Sequence, residues 1–231
     1  MLQHIRLLIF DLDYLVFDCA PLKVQALRQS LISLADAIPQ NVRLPDAEDA
    51  EEGFRDRGFR WTRHLEIGLG EDNLEHLRHV YDLNERRLIE AGAGKVFAGI
   101  HEFIAKCRGM DISAVLGAEA SRDYLVSVAE RHQLEALFDL SLCTEEFGAG
   151  GADEMIEEIM HHAEVNPSET VVLGTRPQFF QAAHNLDVLT IGCGWGIRQH
   201  QSLAEADLVS LTLSQLYSVI QKADDLASQY S

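Results

Sequence analysis

An apolar run at positions 5–10, broken only by Arg6, ends on two aspartates one residue apart, Asp11 and Asp13. A run of this kind reads as a strand buried on both faces, the situation of a parallel sheet covered by helices. At the carboxyl end of a parallel strand, both carboxylates reach the crevice where open α/β sheets bind ligands. One then suits a nucleophile and the other a general acid and base. Taken alone, an Asp-x-Asp at a strand end is better explained as a cap on the following turn. The rest of the chain has to decide.

From about residue 20 to 94 the pattern is helical and poor in strands. Leu22, Ala26, Leu27, Leu31 and Leu34 recur at helical spacing, as do Leu74, Leu77, Val80, Tyr81 and Leu88. The acidic stretch 46–52 between them reads as a solvated helix start. After Gly94 helices and strands alternate: a helix at 99–107, a strand at 112–116, and a helix at 121–132 opened by a Ser121 cap. A short apolar segment at 138–143, a glycine loop, a helix at 153–163 and a buried strand at 170–173 follow. Apolar segments at 188–191 and 208–209 lead to a closing helix from Ser214. Strands alternating with helices predict an α/β protein with a parallel sheet between helical layers. The expected architecture is a three-layer, Rossmann-like core of residues 1–18 and 96–231, with a helical cap of residues 19–95 inserted after the first strand.

Composition narrows the function classes. The chain has 231 residues, 47% hydrophobic and 24% charged, as befits a globular protein with a substantial core. No apolar stretch approaches a membrane span and the first residues lack a signal-peptide pattern. Cys19, Cys107, Cys143 and Cys193 are widely spaced and read as buried thiols, so a cytoplasmic location is expected. A formal charge of −18 argues against nucleic acid and anionic membranes as partners. It also repels a phosphorylated substrate unless the site is locally basic, and the only lysines are Lys23, Lys95, Lys106 and Lys222.

The chain resembles phosphatases of the haloacid dehalogenase superfamily, whose first motif is an apolar strand followed by Asp-x-Asp-Gly-Thr/Val. Tyr14 and Leu15 stand at the last two places here. The plan of first strand, helical cap and remaining core resembles the phosphoglycolate phosphatase-like branch. So do the closing Gly194-Trp195-Gly196 and Ala206-Asp207-Leu208-Val209 through Leu216. By that resemblance Asp11 is the nucleophile that attacks phosphorus and Asp13 the acid/base, and both reach a Mg²⁺ ion that neutralises charge as the two anions approach.

The other motifs depart from the pattern. Gly117 takes the place of the Thr or Ser whose hydroxyl holds the phosphoryl oxygens, leaving its backbone N–H and the nearby Ser121 and Arg122 as donors. Gly151 takes the place of the neutralising lysine, and no lysine lies between Lys106 and Lys222. Thr175 and Phe179 take the places of two acidic metal ligands, which a hard cation requires. Arg176 is the nearby cation, read either as a phosphate fork or as a surface residue. Two like charges about 4 Å apart repel by roughly 4 kcal/mol at an effective dielectric of 20. The expectation is therefore a phosphatase-like fold with hydrolase activity lost or severely weakened, no cofactor, and a role in binding a small phosphorylated molecule or a protein partner. The alternative is an atypical hydrolase of small phosphate esters that works through Asp11 and Asp13, with Mg²⁺. His76 with His79 reads as a solvated pair, His161 and His162 point apart, and Trp61 with its aromatic and arginine neighbours reads as cap core. Gly192-x-Gly194-x-Gly196 lacks the dinucleotide spacing.

Overall fold

The computed structural model describes residues 4–34, 71–148, 151–197 and 200–228. The acidic stretch 46–52 and Trp61 lie outside them. In chain order the elements are β1 (Leu7–Asp11), β2 (Phe17–Asp18), α1 (Ala20–Ser33), α2 (Glu71–Glu90), β3 (Lys95–Val96), α3 (Ile100–Arg108) and β4 (Ser113–Ala118). There follow α4 (Arg122–His132), β5 (Leu140–Cys143), α5 (Ala152–Ala163), β6 (Thr170–Gly174), α6 (Pro177–Asn185), β7 (Leu189–Cys193), β8 (Leu208–Ser210) and α7 (Leu213–Ser228). No helix among the described residues is long and apolar enough to cross a membrane.

Six strands form one parallel sheet in the order β5-β4-β1-β6-β7-β8. The order reverses direction at β1, which pairs with β4 on one side and β6 on the other. That is the switch point at which strand ends diverge and a crevice opens. Alternate residues of β1 serve the two faces, as pleating requires. Leu7 and Ile9 pack with Met155, Ile156 and Ile159 of α5 and Phe179, Ala182 and Ala183 of α6. Phe10 faces the other way and meets Phe103 of α3 and Phe138 edge-on, at 6.0 and 5.5 Å between ring centres. The result is a three-layer α/β fold.

The chain divides into two compact units, residues 1–17 with 96–231, and residues 18–95. Within the second, α1 and α2 bury Val24, Ala26, Leu27, Leu31, Leu34, Leu77 and Tyr81 against one another. Asn84 donates to the buried Ser30 hydroxyl at 2.9 Å, a polar bridge between the helices. His76 and His79 lie exposed on α2, and His161 and His162 on α5. The two short strands β2 and β3 pair into a separate ribbon where the chain passes between the units. The helical periodicity of 20–94 gave no sign of them.

The turn after the Asp pair is tightly specified. The Tyr14 N–H donates to the Phe17 carbonyl at 2.9 Å, and the N–H groups of Val16 and Phe17 donate to the Leu12 carbonyl. This geometry places Tyr14 at φ 66°, in the left-handed region that costs a non-glycine residue about 1 kcal/mol. Tyr14 holds this conformation without being a glycine. The turn is braced by the Gly194-Trp195-Gly196 segment. The Trp195 indole N–H donates to the Leu15 carbonyl at 2.9 Å, and a Cβ on Gly196 would overlap the Tyr14 carbonyl oxygen. Asp207 similarly serves the fold. It accepts from both the N–H and the hydroxyl of Thr190 at 2.8 Å, fastening the approach to β8 onto β7.

Gly196→Ala is expected to destabilise the protein by more than about 3 kcal/mol, since overlap with backbone has no cheap relief. Trp195→Phe, which removes one hydrogen bond, should cost about 1 kcal/mol. Urea unfolding of the two variants measures both, and equal small losses would contradict the clamp.

Candidate functional site

Asp11 is the last residue of β1 and is wholly buried. Its register partner on β4 is Gly117, and its carboxylate is taken by Arg176, which begins the loop-to-helix passage between β6 and α6. The Arg176 Nη2 donates to Oδ1 at 2.8 Å and to Oδ2 at 3.1 Å, and Nε donates to Oδ2 at 3.2 Å. The remaining nitrogen, Nη1, lies 3.1 Å from a Glu119 carboxylate oxygen just beyond β4. Every guanidinium nitrogen of Arg176 thus faces a carboxylate. The sequence offered a phosphate fork or a surface residue. The structure places the side chain at 16% exposure, forked on Asp11.

The local sequence explains this aim. Arg176 precedes Pro177, and a residue before proline is pushed out of the helical region into extended backbone. Arg176 has φ −126° and ψ 138°, and Pro177 starts α6 with the fixed φ that suits the first helical turn. The arginine is held two residues past the carboxyl end of β6, with its side chain within hydrogen-bond reach of Asp11.

Asp13 sits two residues on and is buried. Its Oδ1 accepts from the Tyr124 hydroxyl of α4 at 2.7 Å, a contact across 111 residues of sequence. Ser121 caps α4, its hydroxyl accepting from the Tyr124 N–H at 3.3 Å. Arg122 pairs with Glu146, and its N–H donates to Glu145 at 2.9 Å. Of the two donors suggested by the sequence beside Gly117, Arg122 is therefore engaged with carboxylates, and the Ser121 hydroxyl serves as the acceptor of the helix cap. Tyr124 and Glu119 were not singled out by sequence reasoning. Neither carries a local signal, because each acquires its partner through strand order.

At Gly117, a Cβ would lie 3.0 Å from the Met155 methyl and 3.3 Å from the tip of Phe179. A side chain there would crowd the Met155 methyl and the Phe179 ring, which would have to give by a few tenths of an ångström. Phe179 is wholly buried in the cluster of Ile9, Met155 and Ile156. Thr175 is 1% exposed, and its hydroxyl has no hydrogen-bond partner among the described residues. Gly151 has φ 57° and stands at the start of α5.

A Mg²⁺ ion implied by the fold does not fit these residues. It wants several carboxylate oxygens in tight octahedral array. Asp11 is forked by an arginine, and the two places where the resemblance leads one to expect acids, 175 and 179, hold a hydroxyl and a buried aromatic ring.

Burial pushes the Asp11 carboxyl up from its ordinary 3.8 to about 7. The charge and hydrogen bonds of Arg176 pull it down, while Glu119 and Asp13 add to the rise. For Arg176, burial acts to lower the pKa, but the carboxylates of Asp11, Glu119 and Asp13 outweigh it, so the guanidinium stays charged. Burial and the nearby Asp11 also hold the Cys193 thiol far above its usual range.

A carboxyl whose folded pKa lies above its unfolded value stabilises the fold fully only at low pH. That contribution fades as pH rises from about 4 to about 7 and is gone above. The unfolding free energy of Asp11→Asn, compared with the native chain, is therefore expected to improve across this window by up to roughly 4 kcal/mol. Above it the difference should be flat. Urea titrations of both proteins at a series of pH values measure it, and a constant difference would refute the buried-acid assignment.

Residues 8–193 match the family described as haloacid dehalogenase-like hydrolase. Among solved structures, a haloacid dehalogenase-like hydrolase from Streptococcus pneumoniae aligns with a TM-score of 0.76 at 15% identity, over 94% of this chain and 99% of that one. A predicted phosphoglycolate phosphatase from Haemophilus somnus aligns at 0.72 and 12% identity, over 93% and 97%. CbbY from Rhodobacter sphaeroides, in complex with phosphate, aligns at 0.71 and 17% identity, over 92% and 96%. At these identities the likeness establishes the fold. No curated protein sequence matches the chain.

Proposed function

The chain belongs to the haloacid dehalogenase-like hydrolase family, and we propose that it uses the phosphatase fold of that family for binding, with its hydrolase activity lost or severely weakened. The observation that carries this is the fork of Arg176 on both oxygens of Asp11. A carboxylate attacks phosphorus through a lone pair, and here the lone pairs of the nucleophile position are directed at a guanidinium. Breaking a buried ion pair by removing one partner costs about 3–5 kcal/mol. Releasing Asp11 for each turnover would add a comparable barrier before any chemistry. The absent lysine and metal acids deepen the deficit, since electrostatic stabilisation supplies most of phosphoryl-transfer catalysis.

The ligand class this reading carries forward is a small phosphorylated molecule or a protein partner, met in the cytoplasm and not on nucleic acid or membranes. The strong negative charge supports the exclusions. A rival hydrolase of small phosphate esters draws support from one observation: Asp13 is held at 2.7 Å by Tyr124, as a positioned acid/base would be.

Turnover of para-nitrophenyl phosphate and phosphoglycolate by the purified chain, with and without Mg²⁺, separates the two. Background rates, unchanged in Asp11→Asn, are expected. Robust hydrolysis abolished by that substitution would establish the enzyme.

A further inference from the structure

We infer that Arg176 is the resident cation of this site: it supplies, by covalent attachment, the positive charge that a divalent metal supplies in the fold family, and it excludes such a metal for as long as it stays. The inference rests on the reading of Asp11 as an engaged carboxylate and goes beyond it, because it says what the loss of the metal acids was exchanged for.

Three observations converge on Arg176. It draws together two carboxylates from different strand ends, Asp11 after β1 and Glu119 after β4, with its nitrogens at 2.8–3.2 Å from their oxygens. A cation bridging these oxygens has the place the guanidinium now fills. Second, the charges require a cation. Asp11 is fully buried, Asp13 is beside it, and Glu119 is mostly buried, so an empty centre would confront three acids with one another. Third, the backbone is set for this use, because Pro177 holds Arg176 extended at the end of β6. An arginine suits the exchange better than lysine, since a planar fork satisfies both oxygens of one carboxylate and still reaches a second.

The consequence is that a single substitution should convert the centre into a site for a divalent cation. Arg176→Met keeps an unbranched apolar stem like that of arginine and removes the guanidinium with its charge. Asp11 and Glu119 then remain as oxygen ligands, with the buried Thr175 hydroxyl, which has no hydrogen-bond partner among the described residues, next in sequence to position 176.

The test is calorimetry and thermal melting of the full chain with Mn²⁺ and with Mg²⁺, above neutral pH so that Asp11 is ionised. Arg176→Met is expected to bind Mn²⁺ at least about tenfold more tightly than the native chain, and its melting temperature should rise in millimolar Mg²⁺ while that of the native chain does not. Adding Asp11→Asn to the variant should abolish the binding. Should Arg176→Met fold only when divalent cation is supplied, the exchange is supported in its strongest form. Failure to fold even with the cation would overturn it. So would a folded variant that binds no more tightly than the native chain, or a native chain that already binds with the same affinity. Native binding of Mg²⁺ without hydrolysis would defeat this inference and leave the proposed function standing. Native hydrolysis without Mg²⁺ would do the reverse.

Discussion

An aspartate with no exposed surface lies at the end of the central strand, and one arginine keeps it from being an uncompensated buried charge. The balance between the two is close. Removing a carboxylate from water costs several kcal/mol, and the attraction to a guanidinium in contact recovers roughly 4 kcal/mol or more at an effective dielectric near 20. Burial still outweighs the arginine enough to lift Asp11 to about 7. The centre therefore holds a carboxyl near its titration point and a guanidinium that never titrates. Position of the pair follows from strand order alone: β1 lies between β4 and β6, so residues just past those two neighbours flank Asp11. Glu119 arrives from one side and Arg176 from the other.

The turn that follows Asp11 has to stay in place for this to hold. Tyr14 accepts a left-handed conformation at some cost, and the Trp195 hydrogen bond with the bare Cα of Gly196 keeps the turn seated. The last strands of the sheet thus brace the first. The Thr190–Asp207 exchange extends the brace outward by fixing β8 to β7. The closing Gly-Trp-Gly and Ala-Asp segments are legible as parts of this support, and not as a nucleotide-binding loop.

Much of the fold was legible because it is written in local pattern. Buried parallel strands appear as short apolar runs at 5–10, 112–116 and 170–173, and the helices of both units show their periodicity. The strands β2 and β3, two residues each, are too short to produce any period and exist only by pairing with each other. The candidate site was half legible. Asp11 and Asp13 stand on a motif, and Arg176 is conspicuous as the cation just past the end of β6. That the fork of Arg176 would close on a carboxylate depends on a separation of 165 residues along the chain, and only register supplies it. The same holds for Tyr124 with Asp13.

Packing shows why the departures at positions 117 and 179 belong together. Phe179 fills the layer beneath the ends of β4 and β6, its ring within 3.3 Å of where a Cβ of Gly117 would stand and 3.2 Å of where one on Gly174 would stand. A close-packed interior cannot take a larger residue at one of these places without a smaller one at another. With a phenylalanine at 179, a hydroxyl-bearing side chain at 117 is crowded by its ring and by the Met155 methyl. With glycine at 117, a short carboxylate at 179 would leave a void and an unpaired buried charge. The glycine at 117 and the phenylalanine at 179 are thus sterically coupled. Arg176 completes the arrangement electrostatically, because the acids that remain at the strand ends still require a positive charge among them. Gly117, Phe179 and Arg176 thus fit together at the strand ends, two by packing and one by charge.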